Sequence, residues 1–244
     1  MWYTEKNKTR WANMVTASAS ALFDEIKNIA ALDCPDGRDS AELIHIAEKA
    51  AATGIPLVSA GPESVEALWT WLEKKPAKIL ARFFLANSKS KSFDLEREIS
   101  ALSRNVNGVL KKGASGAQVF VPPTALDSFV NGLLPVRDGL FFNKDLAICL
   151  DMTKIDATDW PALLGKLKKI RADAMGLYLP AGKKGPPDFV GRVYGLLESL
   201  DDSEFGGELH FLLGDDFEKI EQVWRLANKM RPDAARTIRF FIGI

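Results

Sequence analysis

The chain has only two cysteines, Cys34 and Cys149, in 244 residues. That is too few for a disulfide framework or a cysteine-built zinc site. It has no excess of either charge, since 32 basic side chains balance 32 acidic ones. A nucleic-acid binder needs a basic surface to displace counterions from phosphates, so no nucleic-acid partner is expected. No apolar run approaches the roughly 18–20 residues that cross a bilayer. The opening stretch MWYTEKNKTR is too polar for a signal peptide. These absences lead to the expectation of a reduced, cytoplasmic protein without a membrane partner. Nucleotide-binding loops are missing as well. Gly113-Ala-Ser-Gly116 precedes a strand, whereas a dinucleotide loop follows one and opens a helix. Gly182-Lys183-Lys184-Gly185 lacks the spacing and the hydroxyl residue of a P-loop.

What is present is ordinary globular composition, 47% hydrophobic and 26% charged, with a strong internal rhythm. Short apolar runs at 29–34, 56–61, 78–85, 117–122, 146–152, 174–180, 207–213 and 237–243 read as eight strands. Their starts are about 30 residues apart, the length of one strand, one helix and two loops. The runs are continuously apolar instead of alternating, which means that both faces are covered, as in a parallel sheet.

The intervening segments carry helical patterns. Asp39 and Glu42 form a capping-box pair before Leu43, Ile44, Ala47 and Ala50, and Gly54 is the stop. Val65, Leu68, Trp69 and Leu72 fall on one helical face. Further stripes run from Leu95 to Val109, from Thr124 to Leu133, from Asp159 to Ile170, from Val190 to Leu197 and from Ile220 to Ala227.

Eight strands with seven intervening helices predict a (β/α)₈ TIM barrel over residues 29–244, in preference to an open doubly wound sheet. Residues 1–28 read as an N-terminal helical segment packing on the barrel, with apolar positions at Met14, Val15, Leu22, Phe23 and Ile26. The eighth strand has no helix after it. The N-terminal helix is therefore expected to cover the groove between the eighth and first strands; a longer parent chain or a partner subunit would serve equally. Homo-oligomerisation is expected.

Barrel enzymes carry their chemistry where strands end and the next loops begin. Those positions hold Asp33, Cys34 and Asp36; Ser59 and Glu63; Asn87, Ser88, Lys89 and Lys91; Asp151, Thr153 and Lys154; Lys183 and Lys184; and Asp215 and Asp216. Mixed signs on this rim suit a small polar substrate. Strand parity adds a second filter, because side chains alternate between the interior and the helix layer. It turns Arg82 inward with Leu80 and Phe84, Asp151 with Ala147 and Cys149, and Tyr178 with Gly176. It also turns Glu208 inward with His210, and Arg239 with Phe241. The structural alternative is that Arg82, Glu208 and Arg239 form buried ion pairs filling the barrel. His210 would then be a hydrogen-bonded core residue.

Two chemistries fit the rim. In one, Lys154 forms a Schiff base with a carbonyl substrate while Asp151 and Asp33 move protons. Arg82, His210, Lys183 and Arg239 would hold a small anionic substrate. Class I aldolases on barrels work in this way, with the lysine commonly inside the sixth strand; AMGLYLP has none there. In the other, Asp33, Glu63, Asp151 and His210 gather a divalent metal. The favoured Schiff-base chemistry requires no cofactor.

Leu32-Asp33-Cys34-Pro35-Asp36 followed by Ala47-Glu48-Lys49-Ala50 resembles the first strand and helix of the orotidine-monophosphate-decarboxylase type of barrel. The resemblance implies a barrel acting on a phosphorylated substrate. The family's Asp-x-Lys-x-x-Asp motif is missing; Asp151-Met-Thr-Lys154-Ile-Asp156 has related residues at another spacing, on the fifth strand. Taken together, the sequence predicts a lyase or aldolase-like enzyme of small-molecule metabolism. The alternative is a non-catalytic barrel serving as an assembly subunit.

Overall fold

The structure is a computed structural model that describes residues 17–34, 36–85, 95–141, 143–180 and 185–243. Eight parallel strands close into one barrel in sequence order. The strands are β1 (Ala30–Asp33), β2 (Leu57–Ala60), β3 (Lys78–Phe84), β4 (Gly116–Phe120), β5 (Asp145–Asp151), β6 (Ala174–Tyr178), β7 (Glu208–Leu212) and β8 (Ile238–Gly243). β8 pairs with β1 through Ala30↔Phe240 to Asp33↔Gly243, which closes the ring. Continuous apolar patterning is what such a sheet demands, since each strand faces helices on one side and the barrel interior on the other.

The helices are α1 (Ala17–Ile26), α2 (Ser40–Thr53), α3 (Val65–Leu72), α4 (Leu95–Lys111), α5 (Leu126–Leu133), α6 (Arg137–Phe141), α7 (Trp160–Lys169), α8 (Phe189–Ser203), α9 (Phe217–Met230) and α10 (Pro232–Ala235). Among the described residues, no helix is long and apolar enough to cross a membrane. The expected capping box is formed. Asp39 accepts from the Glu42 amide at 2.9 Å, Glu42 accepts in return from the Asp39 amide, and Gly54 ends α2 at φ 70°.

The short helices α6 and α10 carry no apolar stripe long enough to be seen in sequence. Side-chain chemistry holds α6 in place. The buried Arg137 donates to the Phe141 and Arg171 carbonyls and to the Asp173 carboxylate.

Leu22 and Ile26 of α1 are buried in the same core cluster as Ile238 and Phe240 of β8. The Trp224 indole N–H, on α9, donates to Glu25 of α1 at 3.1 Å. The earlier part of the expected N-terminal helix, with Met14 and Val15, lies outside the described residues.

Two apolar layers result. The larger lies between strands and helices. The smaller fills the barrel with Ala31, Leu57, Leu80, Phe120, Cys149, Leu212 and Phe241. These seven are inward by parity, so the polar residues two positions away on the same strands are inward too.

Candidate active site at the barrel mouth

The last inward positions of β1, β3 and β5 carry Asp33, Phe84 and Asp151. Arg82 lies one inward step below Phe84. Its guanidinium donates to the Asp33 carboxylate, to the Cys34 carbonyl and, at 3.0 Å, to Asp36. β1 thus supplies the groups that grip a side chain from β3, although β2 runs between the two strands. Burial pushes the Asp33 carboxyl above its ordinary range; Arg82 pulls it back and the Asp36 charge adds to the rise.

On the other side of the mouth, Asp151 is only 3% exposed. It accepts from the Thr153 amide at 3.0 Å and from the Thr153 hydroxyl at 2.7 Å. That turn ends β5 at Asp151, one residue before the expected limit, and sends Met152–Lys154 into a 3₁₀ turn. Lys154 folds back, placing its ammonium 3.4 Å from Asp151, while more than half of its side chain stays in solvent. The lysine and carboxylate predicted from the β5 terminus are therefore in contact.

An aromatic wall joins these groups. The Phe84 and Phe120 rings lie 4.5 Å apart, and Phe120 meets Tyr178 edge-on at 5.1 Å. Burial, and then the nearby Asp151 charge, push the Tyr178 phenol upward, so it stays protonated at neutral pH. Below the Phe84–Phe120 pair sits the Arg82–Gln118 pair, two residues earlier on the same two strands. Gln118 is fully buried, and its Oε1 accepts from the Ser59 hydroxyl at 2.6 Å. Arg82 Nε and Gln118 Nε2 are buried without a hydrogen-bond partner.

His210 and Arg239 lie elsewhere. They line a cavity of about 360 Å³ with Lys78, Asp145 and Glu208, which are the first residues of β3, β5 and β7. This is the end of the barrel opposite the mouth. There the His210 ring shares Glu208 at 3.1 Å, and Arg239 binds the same carboxylate at 2.8 and 3.3 Å. Burial pushes the Glu208 carboxyl up, but the bonds from His210 and Arg239 outweigh it and hold the group down at about 2.

The four residues considered for a divalent metal are consequently not assembled. Among the described residues, no three His, Cys, Asp or Glu side chains gather as a cation site. Lys183 and Lys184, with Asn87, Ser88, Lys89 and Lys91, lie outside the described residues.

The aromatic wall and Gln118 went unnoticed in sequence. Gln118 left a signal, being the one polar residue in the apolar β4 run. Parity had turned Phe84 and Tyr178 inward, but that they and Phe120 form one wall left no signal, because strand register alone brings three aromatics on three strands together.

These features define a (β/α)₈ barrel with a polar mouth walled on one side by aromatic rings. No family model matches the chain, and neither does any curated relative. Solved structures with the same fold do match. A Toxoplasma gondii protein assigned as a deoxyribose-phosphate aldolase shares 14% identity over 94% of each chain, at a TM-score of 0.71. The tetrameric deoxyribose phosphate aldolase from Aeropyrum pernix shares 14% identity over 91% of this chain and 87% of its own, at 0.62. The carboxyl transferase domain of Rhizobium etli pyruvate carboxylase matches at 13% identity and 0.62, over 91% of this chain and 43% of that one. At such identities the likeness is one of fold, the (β/α)₈ barrel. The likeness to orotidine-monophosphate-decarboxylase barrels stays confined to the short segment that carries it.

Proposed function

We propose that the chain is an aldolase-like lyase that binds a small, anionic carbonyl compound at the C-terminal mouth of the barrel. The observation that carries this reading is the contact between Lys154 and the buried Asp151 at the end of β5. Schiff-base formation requires an unprotonated amine and a group that carries its proton away, and Asp151 is the acceptor within reach of Lys154. Asp151 takes a proton from Lys154, and the free amine adds to the substrate carbonyl. Loss of water from that adduct leaves an iminium. As the carbon–carbon bond breaks, its electron pair forms an enamine and neutralises the iminium nitrogen, while the β-hydroxyl gives up its proton and departs as a carbonyl. Protonation and hydrolysis of the enamine free Lys154. Asp33, its carboxyl raised by burial, is the second proton-transfer group. Arg82 is held by Asp33 and Asp36, so its part is to position Asp33 as well as to face the substrate. Lys183 is the further cation proposed for the anionic group. His210 and Arg239 stand at the far end of the barrel, beyond the side chains that fill it, and have no place in this reading.

Borohydride reduction tests the covalent step. Incubation with a panel of keto acids and aldehydes should leave a stable mass adduct on Lys154, absent from Lys154→Ala. No adduct across the panel would sink the Schiff-base reading.

A specific observation favours the second reading, a non-catalytic barrel. Arg82, Asp151 and His210 each already have a charged or hydrogen-bonding partner within the chain. That reading predicts neither adduct nor turnover. We propose also that residues 1–28 form a segment packed on a barrel of residues 29–244, and that the protein acts in the cytoplasm as a homo-oligomer. The tetrameric Aeropyrum pernix aldolase shows that such barrels assemble.

A further inference from the structure

The polar groups of the mouth do not explain its most exposed apolar side chain. Phe84 is 63% exposed although it follows five buried residues, Ile79 to Phe83, and faces inward by parity. A large aromatic left open on a polar rim gains free energy when an apolar group covers it. An aromatic neighbour touches the Phe84 ring: Phe120 packs 4.5 Å from it at an interplanar angle of 30°, and Tyr178 in turn meets Phe120 edge-on. The wall is thus preorganised to accept a third ring on the open face of Phe84, at offset-stacking distance.

One step deeper on the same strands lies the second half of the argument. Arg82 pairs directly with Gln118, as Phe84 pairs with Phe120. The guanidinium spends its terminal nitrogens on Asp33, Cys34 and Asp36, and its Nε is left without an acceptor. The Gln118 amide has one end on Ser59 and the other unpaired. Two unsatisfied buried donors on paired residues are costly, and an acceptor oxygen brought within reach of either would relieve it. Both atoms are sealed as the chain stands, so such an oxygen enters only as the Arg82 or Gln118 side chain shifts.

We propose that the substrate class of this mouth is the planar, ring-bearing carbonyl or carboxyl compound. Its ring lies on Phe84 and its oxygen points down towards Arg82 and Gln118. The inference rests on the reading of the mouth as a carbonyl-compound site, and it makes Phe84 the residue that sets ring preference.

The test compares benzoate with cyclohexanecarboxylate, which match in charge and carbon number and differ in planarity and π-electrons. Calorimetric or NMR titration of the full chain should give benzoate an advantage of about three- to tenfold, the range of one aromatic stack. Phe84→Leu keeps an apolar side chain at an exposed site and should bring the two affinities together, lowering the thermal melt by no more than the lost contact with Phe120 accounts for. Gln118→Met should weaken both acids while leaving their ratio intact. Equal affinities in the parent chain would overturn the inference. So would an unchanged ratio in Phe84→Leu, or saturable binding of neither acid. A ring preference without any Lys154 adduct would remove the Schiff-base reading and leave this one standing. Adducts formed with aliphatic aldehydes and no ring preference would do the reverse.

Discussion

Replacing Glu208 by glutamine removes the negative charge that Arg239 and His210 share at the strand-start end of the barrel. The amide keeps an acceptor oxygen for Arg239 but not the charge that both Arg239 and His210 bind. The fold holds the Glu208 carboxyl at about 2 against an ordinary 4.5. At about 1.36 kcal/mol per pKa unit that fall corresponds to about 3.4 kcal/mol. Solvent reaches 37% of the side chain, however, and screening reduces the expected value to about 1–2 kcal/mol. A group held below its unfolded value stabilises the fold above that value and loses its effect as pH drops through the folded one. The parent chain should therefore exceed Glu208→Gln by the full amount at pH 7, and by less than half of it near pH 3, converging at about pH 2. Urea unfolding measures this without adding salt that would screen the pair. A difference between the two proteins that stays constant from pH 7 to pH 3 would show that the carboxylate's charge is not what joins β7 to β8.

Two more expectations concern the interior. A Cβ on Gly176 would fall on the Cys149 sulfur and come within 3.2 Å of that residue's Cα, so Gly176→Ala should cost about 1–3 kcal/mol by overpacking. In a Cys149→Ala background the cost should fall by half or more; strictly additive effects in denaturant melts would mean that the strain lies elsewhere. Burial pushes the Cys34 thiol up to about 11 and that of Cys149 further still, and both residues are fully covered. Ellman's reagent at pH 8 should find no fast thiol in the native protein and two in urea. A thiol reacting in buffer as fast as in urea would contradict the packing around β1 and β5.

Much of the fold is legible in the chain because it depends on local periods. An apolar run recurring about every 30 residues is a βα unit wherever it occurs, and Asp39, Glu42 and Gly54 cap their helix by contacts within a few residues. Parity also travels with the sequence, so Arg82, Asp151, His210 and Arg239 could be turned inward before any strand was placed. The Asp151–Lys154 contact is local too, three residues across one turn. What parity lacks is height. His210 is only two residues from the end of β7, yet its partner is Glu208, so it belongs to the opposite end of the barrel from Asp33 and Asp151.

Tertiary structure decided everything that depends on register between strands distant in sequence. Arg82 meets Asp33 across 49 residues, and Ser59 meets Gln118 across 59. The rings of Phe84, Phe120 and Tyr178 become one wall only when three separate strands end at matching heights. The scarcities of the sequence set limits on all of this: two cysteines, no surplus charge, and no lysine in the sixth strand. They narrow which side chains there are to do chemistry, because composition is a property of the chain itself. They could not say which of the remaining side chains share the mouth, because that follows from the closure and stagger of eight strands, a relation between residues that no segment carries alone.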